Sequence, residues 1–341
     1  MRLPAAVNQW QRRGCAITPR HARMIAVARI IFMGTPEFAV PCLTTLIETQ
    51  TVVGVVTQPD KPAGRGNQMR PSPVKIVAEA ADIPVYQPKS LRKEEAAAPL
   101  REWQPDLIVV TAFGQILRPH VLYLSPKGSL NVHASLLPRW RGASPIQHAI
   151  LAGDEATGVT LMQMDEGLDT GAMYVQESLP IDPRETAATL HDRLAALGAS
   201  MLRRHLDDIL AGHLTPVPQD NAGSTYAPMI RKEAGLIDWR HDAESLDRHI
   251  RAMTPWPGAF TWWDGAPLKI LSARPIDSSR PAGVPGQVLV TVEGVAVATG
   301  AGSLLLGAIQ APGKRVIAAV DFTRGHPALI GAVLGREPAT S

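Results

Sequence analysis

Arg29-Ile-Ile-Phe-Met-Gly34 is an apolar run of strand length that ends on glycine, with Pro36 two residues on, where a helix can begin. Thr51-Val-Val-Gly-Val-Val-Thr57 repeats the pattern with β-branched residues, which suit a pleated and buried strand. Two more such runs follow, Asp106-Leu-Ile-Val-Val-Thr111 and Ser129-Leu-Asn-Val-His133. Helix candidates separate or follow them at residues 74–81, 93–102 and 185–210. Strands alternating with helices require crossover connections. The expected fold is therefore α/β, with an N-terminal Rossmann-like domain whose mostly parallel sheet is covered on both faces.

The texture then changes. Residues 212–228 hold Pro216, Pro218, Asn221, Gly223 and Pro228 with little apolar periodicity, and read as a linker. Beyond it come one amphipathic stretch, 243–253, and short β-type segments at 259–263, 268–271, 286–292, 295–298 and 303–309. Turn residues at regular intervals suggest a second, smaller OB-like β-barrel. The expected division is a 1–23 extension, a domain over 24–211, a linker over 212–228, a β-barrel domain over 229–330 and a tail over 331–341.

The chain has 341 residues, 45% hydrophobic and 19% charged, enough for two cored domains and too apolar for a disordered chain. Its two cysteines, Cys15 and Cys42, exclude a disulfide scaffold and a four-cysteine zinc site. No run of 18 apolar residues occurs, so a soluble, cytoplasmic protein is expected, without a membrane partner. The formal net charge of +3 invites a nucleic-acid reading, but its distribution argues otherwise. Residues 1–23 carry five arginines and no acid; the remainder has 29 basic and 31 acidic residues. That Arg-rich start reads either as an organellar transit peptide or, because Met24 directly precedes the first strand, as an over-long gene start. It is expected to be exposed or poorly ordered.

A strand ending in glycine also suggests a dinucleotide site. Here the first turn, Gly34-Thr-Pro-Glu-Phe38, lacks the second and third glycines that bring a pyrophosphate onto a helix, and Glu37 would repel one. No phosphate-binding loop with a Gly-Lys-Ser/Thr ending exists either. NAD, FAD and ATP are poor candidates.

The polar residues concentrate in Asn131-Val-His-Ala-Ser-Leu-Leu-Pro-Arg-Trp-Arg-Gly-Ala-Ser-Pro145 and in Gly158-Val-Thr-Leu-Met-Gln-Met-Asp-Glu-Gly-Leu-Asp-Thr-Gly171. Asn131 and His133 are two apart at a strand end, so they share a face, and strand carboxyl ends border the crevice of an open parallel sheet. With Asp169 they supply an amide donor, an imidazole and a carboxylate. Acyl transfer to an amine needs those groups, because an amine attacks without a serine or cysteine nucleophile. Read from the residues alone, the bland alternatives stand beside this: a satisfied strand-end histidine and an aspartate doing turn chemistry.

These two stretches resemble the signatures of the folate-dependent formyltransferase family: Asn-x-His, then Ser-Leu-Leu-Pro-x-x-Arg-Gly, then Asp-x-Gly after Met-Asp-Glu-Gly-Leu. The likeness runs from about residue 28 to residue 325 and includes Thr57-Gln-Pro-Asp-Lys-Pro-Ala-Gly-Arg-Gly66, Ile237-Asp-Trp239 and Pro255-Trp-Pro257. It is closer still to members that formylate methionine-charged initiator tRNA. The resemblance implies 10-formyltetrahydrofolate as formyl donor and charged initiator tRNA as acceptor, with no metal. It implies Asn131, His133 and Asp169 as the catalytic trio, and Ser135, Leu136, Leu137 and Pro138 as folate contacts. Backbone around Phe113, Gly114, Ile116, Leu117 and Asp165 would line the pterin slot.

For tRNA, Lys61, Arg65 and Arg70 lie on an early loop, and the resemblance points to Arg65 as the residue reaching the acceptor stem. Asn67 and Gln68 stand where the family often has lysines. Residues 229–341 carry 12 basic and 10 acidic residues, with Lys232, Arg248 and Lys314 among the candidate RNA contacts. Trp239, Trp256, Trp262 and Trp263 are expected to pack rather than stack on bases, and a monomer is expected. Three alternatives remain open at this level: a small-amine formyltransferase, a hydrolase releasing formate from the same folate, and a noncatalytic RNA-binding module.

Overall fold

Alternation along the first strand sets up both layers of the N-terminal core. Ile30 and Phe32 pack into one buried cluster and Ile31 and Met33 into another, the period of two that puts successive side chains on opposite faces. The computed structural model describes residues 27–63, 68–276 and 283–335. The 1–23 extension and Arg65 lie outside them.

The main sheet has seven strands: β1 (Arg29–Gly34), β2 (Thr51–Val56), β3 (Val85–Tyr86), β4 (Leu107–Thr111), β5 (Ser129–His133), β6 (Ala156–Gln163) and β7 (Met173–Pro180), ordered β7-β6-β5-β4-β1-β2-β3. The first five are parallel where they pair, and β6 runs antiparallel to both β5 and β7. The strand order reverses beside β1, so the crevice lies at the carboxyl ends of β1, β4 and β5. One face is covered by α1 (Val40–Thr49), α2 (Pro73–Ala80) and α6 (Ala187–Ala211), through Leu43, Leu46, Val74, Leu190 and Leu194. The other is covered through Leu100 of α3 (Ala98–Glu102) and Leu122 of α4 (Pro119–Leu122). Thr186 opens α6 with a capping box to Thr189, and Gly212 ends it in the left-handed region at φ 74°. Cys42 is fully buried in α1 as a small core hydrophobe, and burial pushes its thiol up to about 12.

In the loop expected after β2, Lys61–Ala63 pairs antiparallel with Gln68–Arg70. The expected strands at 51–57, 106–111 and 129–133 appear within a residue or so of their bounds. Strand β7 and the helix α5 (Pro145–Ala152) were not legible.

The C-terminal region forms two four-stranded antiparallel sheets. One orders Phe260–Trp263, Ala266–Ile270, Ala308–Gln310 and Ile317–Ala318; the other orders Ala273–Ile276, Ser303–Leu306, Gly294–Ala298 and Val288–Thr291. Two chain segments bend from one sheet into the other at a shared corner. There the Gly307 amide donates to the Ser272 carbonyl at 2.9 Å, and the Ala308 amide donates to Ser272 Oγ at 2.9 Å. A Cβ at Gly307 would come within 2.5 Å of Ser272 Oγ and would turn that hydroxyl away from the Ala308 amide it holds at the corner. Among the described residues no strand ladder closes the two sheets into a barrel. Trp239 is buried and donates to Thr261 Oγ1 at 2.9 Å, but Trp256 is exposed, not packed as expected.

The two regions meet where α5 packs on α7 (Ala243–Ala252). His249 of α7 lines a cavity there with Leu151, Leu236, Asp238 and His241, and its Nε2 is buried without a hydrogen-bond partner. Burial, with His241 nearby, lowers its proton affinity from the ordinary value of 6.5. Below that ordinary value the unfolded chain binds a proton that the native state resists, so stability falls as pH drops through this window. The wild type is expected to lose more denaturant resistance than His249→Gln between pH 7.5 and about pH 5.5, measured by urea midpoints. Parallel losses would remove His249 from the acid response.

Candidate active site

Strand β5 sets the site. Leu130 and Val132 face the α1/α6 core, so Asn131 and His133 project from the opposite face at the strand's carboxyl end, beside Met162 and Thr160 of β6. Both side chains are buried. The loop after β6 returns Asp169 to them, held at φ 52°, a conformation uncommon outside glycine.

The Asp169 carboxylate is the meeting point. Asn131 Nδ2 donates to Oδ1 at 3.4 Å, the Gly142 amide donates to Oδ2 at 2.9 Å, and His133 Nδ1 lies 3.7 Å from Oδ2. On its other side, His133 Nε2 is 3.0 Å from the Trp140 carbonyl. A carbonyl only accepts, so Nε2 carries the proton in that bond. Both ring nitrogens therefore face oxygens.

The Trp140 carbonyl is itself fixed. Trp140 sits at φ 63°, its amide donates to Thr225 Oγ1 at 2.8 Å, and its indole donates to Asp154 Oδ2 at 2.7 Å. Arg139 pairs with both Asp154 oxygens, at 2.9 and 2.6 Å, and its guanidinium lies 4.3 Å over the Trp140 ring. Such a fork is stronger and more directional than a single ion pair.

The expected folate segments divide between core and surface. Ser135 is fully buried and donates to the Arg139 carbonyl at 2.7 Å, so its hydroxyl is committed within the loop. Leu137 is buried, its amide bound to Thr160 Oγ1 and its carbonyl to Gln176 Nε2, while Leu136 and Pro138 are half-buried. Phe113 and Leu117 point into the core cluster that also takes Met164, which brings the 113–117 and 165–169 segments together. Their available surface is backbone, at Ala112 and Gly114 with positive φ, plus the exposed side chains of Ile116, Glu166 and Leu168. Asp165 is used inside its own loop, accepting from the Gly167 amide and Thr170 Oγ1.

The expected RNA contacts lie apart from this cluster. Lys61 and Arg70 pair across the exposed hairpin, and Lys232 and Lys314 are exposed. Arg248 differs: its stem is next to Gly153, its Nε is buried, and its guanidinium donates to Ser245, so it is turned toward the contact between the two regions. Sequence reasoning missed Asp154, Gln219 and Thr225, and also the Trp140 carbonyl and Gly142 amide. The last two are backbone groups, for which no side-chain signal exists. Among the described residues no group of His, Cys, Asp and Glu could hold a metal, and no helix is long and apolar enough to cross a membrane.

The chain is similar to known proteins over most of its length. Residues 28–206 match the model described as formyl transferase, and residues 229–327 match formyl transferase, C-terminal domain. The chain is 49% identical over 314 residues to a methionyl-tRNA formyltransferase of Citrifermentans bemidjiense, covering 92% of this chain and 98% of that one. It is 51% identical over 299 residues to one of Myxococcus xanthus, covering 87% and 95%. Among solved structures, HypX from Aquifex aeolicus in complex with tetrahydrofolic acid aligns with TM-score 0.58 at 20% identity, covering 91% of this chain and 49% of that one. WlaRD, a sugar 3N-formyl transferase, aligns with TM-score 0.61 at 20% identity, covering 85% and 99%. The two solved structures speak to the fold alone.

Proposed function

The chain belongs to the formyl transferase family, and we propose that it transfers the formyl group of 10-formyltetrahydrofolate to the α-amine of methionine on charged initiator tRNA, supplying translation initiation. The observation that carries this reading is near-full-length identity of about one half to proteins named for that reaction. The site supports it chemically: an amide, an imidazole and a backbone N–H converge on one carboxylate, while the neighbouring Ser135 hydroxyl is occupied. Direct attack by an amine fits that set.

In the proposed reaction the neutral methionyl amine attacks the formyl carbon on N10, giving a tetrahedral oxyanion. The second N–H of Asn131 Nδ2, free of Asp169, hydrogen-bonds that oxygen. His133 binds the Trp140 carbonyl through Nε2 and faces the Asp169 carboxylate through Nδ1, and so steadies the loop and the carboxylate around that oxygen. Asp169, through water, carries the proton from the attacking amine to N10 as the C–N10 bond breaks. The products are formylmethionyl-tRNA and tetrahydrofolate. The 113–117 and 165–169 backbone and Leu136 to Pro138 form the folate side of the cleft in this reading.

We divide the chain as a catalytic domain over 24–211, a linker over 212–228 and an OB-like domain over 229–330, with the bent corner at Gly307 supporting the last. It works as a monomer in the cytoplasm, with Lys61, Arg65 and Arg70 taking the tRNA. The test incubates the protein with 10-formyltetrahydrofolate and charged initiator tRNA, and measures formylmethionyl-tRNA against free formate. Formate alone would favour the hydrolase, and binding without product the noncatalytic module. Arg65→Ala is expected to lower kcat/KM for charged tRNA by about tenfold, the cost of a charge-assisted contact. Unchanged kinetics would remove the loop from the reaction.

A further inference from the structure

The segment that reads as a featureless linker crosses the active site as a strap. Val217 exchanges both backbone hydrogen bonds with Met173, at 2.8 and 2.9 Å, just after the Asp169 loop. Eight residues later, the Thr225 carbonyl accepts from the Arg141 amide at 2.9 Å, and Tyr226–Ala227 pairs parallel with Arg141–Gly142. The strap is thus pinned to both loops that shape the trio, and Gln219 lies between the pins.

The side-chain amide of Gln219 is saturated. Its Nε2 donates to the carbonyls of Asp169 and Gly171, each at 2.8 Å. Its Oε1 accepts from Arg141 Nε at 3.0 Å and Arg141 Nη2 at 2.7 Å. A primary amide offers two donors and two lone pairs, and here all four are used. One end holds the backbone that keeps Asp169 at positive φ; the other holds the residue preceding Gly142, whose amide binds the Asp169 carboxylate. Resting on the reading of Asn131, His133 and Asp169 given above, we propose that Gln219 is a positioning residue for formyl transfer: a linker side chain that fixes both sides of the Asp169 carboxylate.

Two variants test it. Gln219→Ala removes all four bonds. Gln219→Glu keeps an acceptor for Arg141 but offers no N–H to the Asp169 and Gly171 carbonyls. Each is expected to lower kcat by about tenfold or more, since small misplacements of reacting groups carry costs of that order, with KM for charged tRNA and for 10-formyltetrahydrofolate within about threefold of wild type. The melting temperature of Gln219→Glu is expected to stay close to wild type. An active wild type with Gln219→Glu at equal kcat, or with the loss confined to KM, overturns the inference and leaves the proposed reaction standing. A wild type that makes no formylmethionyl-tRNA overturns the reaction and the inference with it.

Discussion

Asn131→Ala, His133→Ala and Asp169→Ala are each expected to lower turnover by on the order of a hundredfold or more while leaving binding of charged tRNA close to wild type. Removing a preorganised oxyanion donor, as at Asn131, typically raises the barrier by about 3–4 kcal/mol, or two to three orders of magnitude in rate; a positioned proton-transfer group such as Asp169, with the imidazole beside it, contributes about 10²–10⁴-fold. Asp169→Ala has a further consequence, because the carboxylate receives the Asn131 amide and the Gly142 N–H and stands 3.7 Å from His133 Nδ1. Its loss leaves all three without their common partner. The groups act as a unit, so the double variant Asn131→Ala/Asp169→Ala should lose much less than the product of the single losses. Single-turnover formylation and equilibrium tRNA binding separate the two quantities. A trio member whose alanine variant retains near-normal turnover has no part in the chemistry, and fully multiplicative losses would show that Asp169 does not act through Asn131.

The parts of the molecule that were legible are those fixed by local pattern. Short apolar runs marked β1, β2, β4 and β5, and the two-residue spacing of Asn131 and His133 put them on one face without any tertiary information. What escaped is of two kinds. Strand β7 is an edge strand whose side chains alternate between half-buried and exposed over Glu177 to Pro180, so it lacks the continuous apolar run of its neighbours. The other kind is nonlocal. Gln219 meets Asp169 across 50 residues and Arg141 across 78, and Trp140 reaches Thr225 across 85. A proline-rich segment with no periodicity gives no hint of such bonds, because its order comes from the loops it crosses. Composition also misled: the +3 of the whole chain rests on the five arginines of residues 1–23, while the expected tRNA contacts on the hairpin are local.

Gly171→Ala is expected to impair both folding and catalysis, by about 1–3 kcal/mol of stability and about a hundredfold in turnover. The reason lies in the chain path. After Asp169 the loop folds back onto the end of β6, where the Gln163 amide donates to the Ala172 carbonyl at 2.8 Å. A Cβ at Gly171 would stand 1.8 Å from the Gln163 carbonyl oxygen, far inside contact, and the obstacle is backbone of the central sheet. The loop must therefore move away, taking with it the Gly171 carbonyl bound by Gln219 and the Asp169 carboxylate two residues before. The glycine of the Asp-x-Gly signature is in this sense a condition on where the carboxylate can be. Gly167 provides the contrast: a Cβ there would meet Thr170 Oγ1 at 2.0 Å, a side-chain hydroxyl that rotation can displace. Gly167→Ala should therefore cost well under half as much by either measure. Thermal melts and kcat for the two variants decide the matter; equal losses would mean that close approach to β6 does not set the position of Asp169.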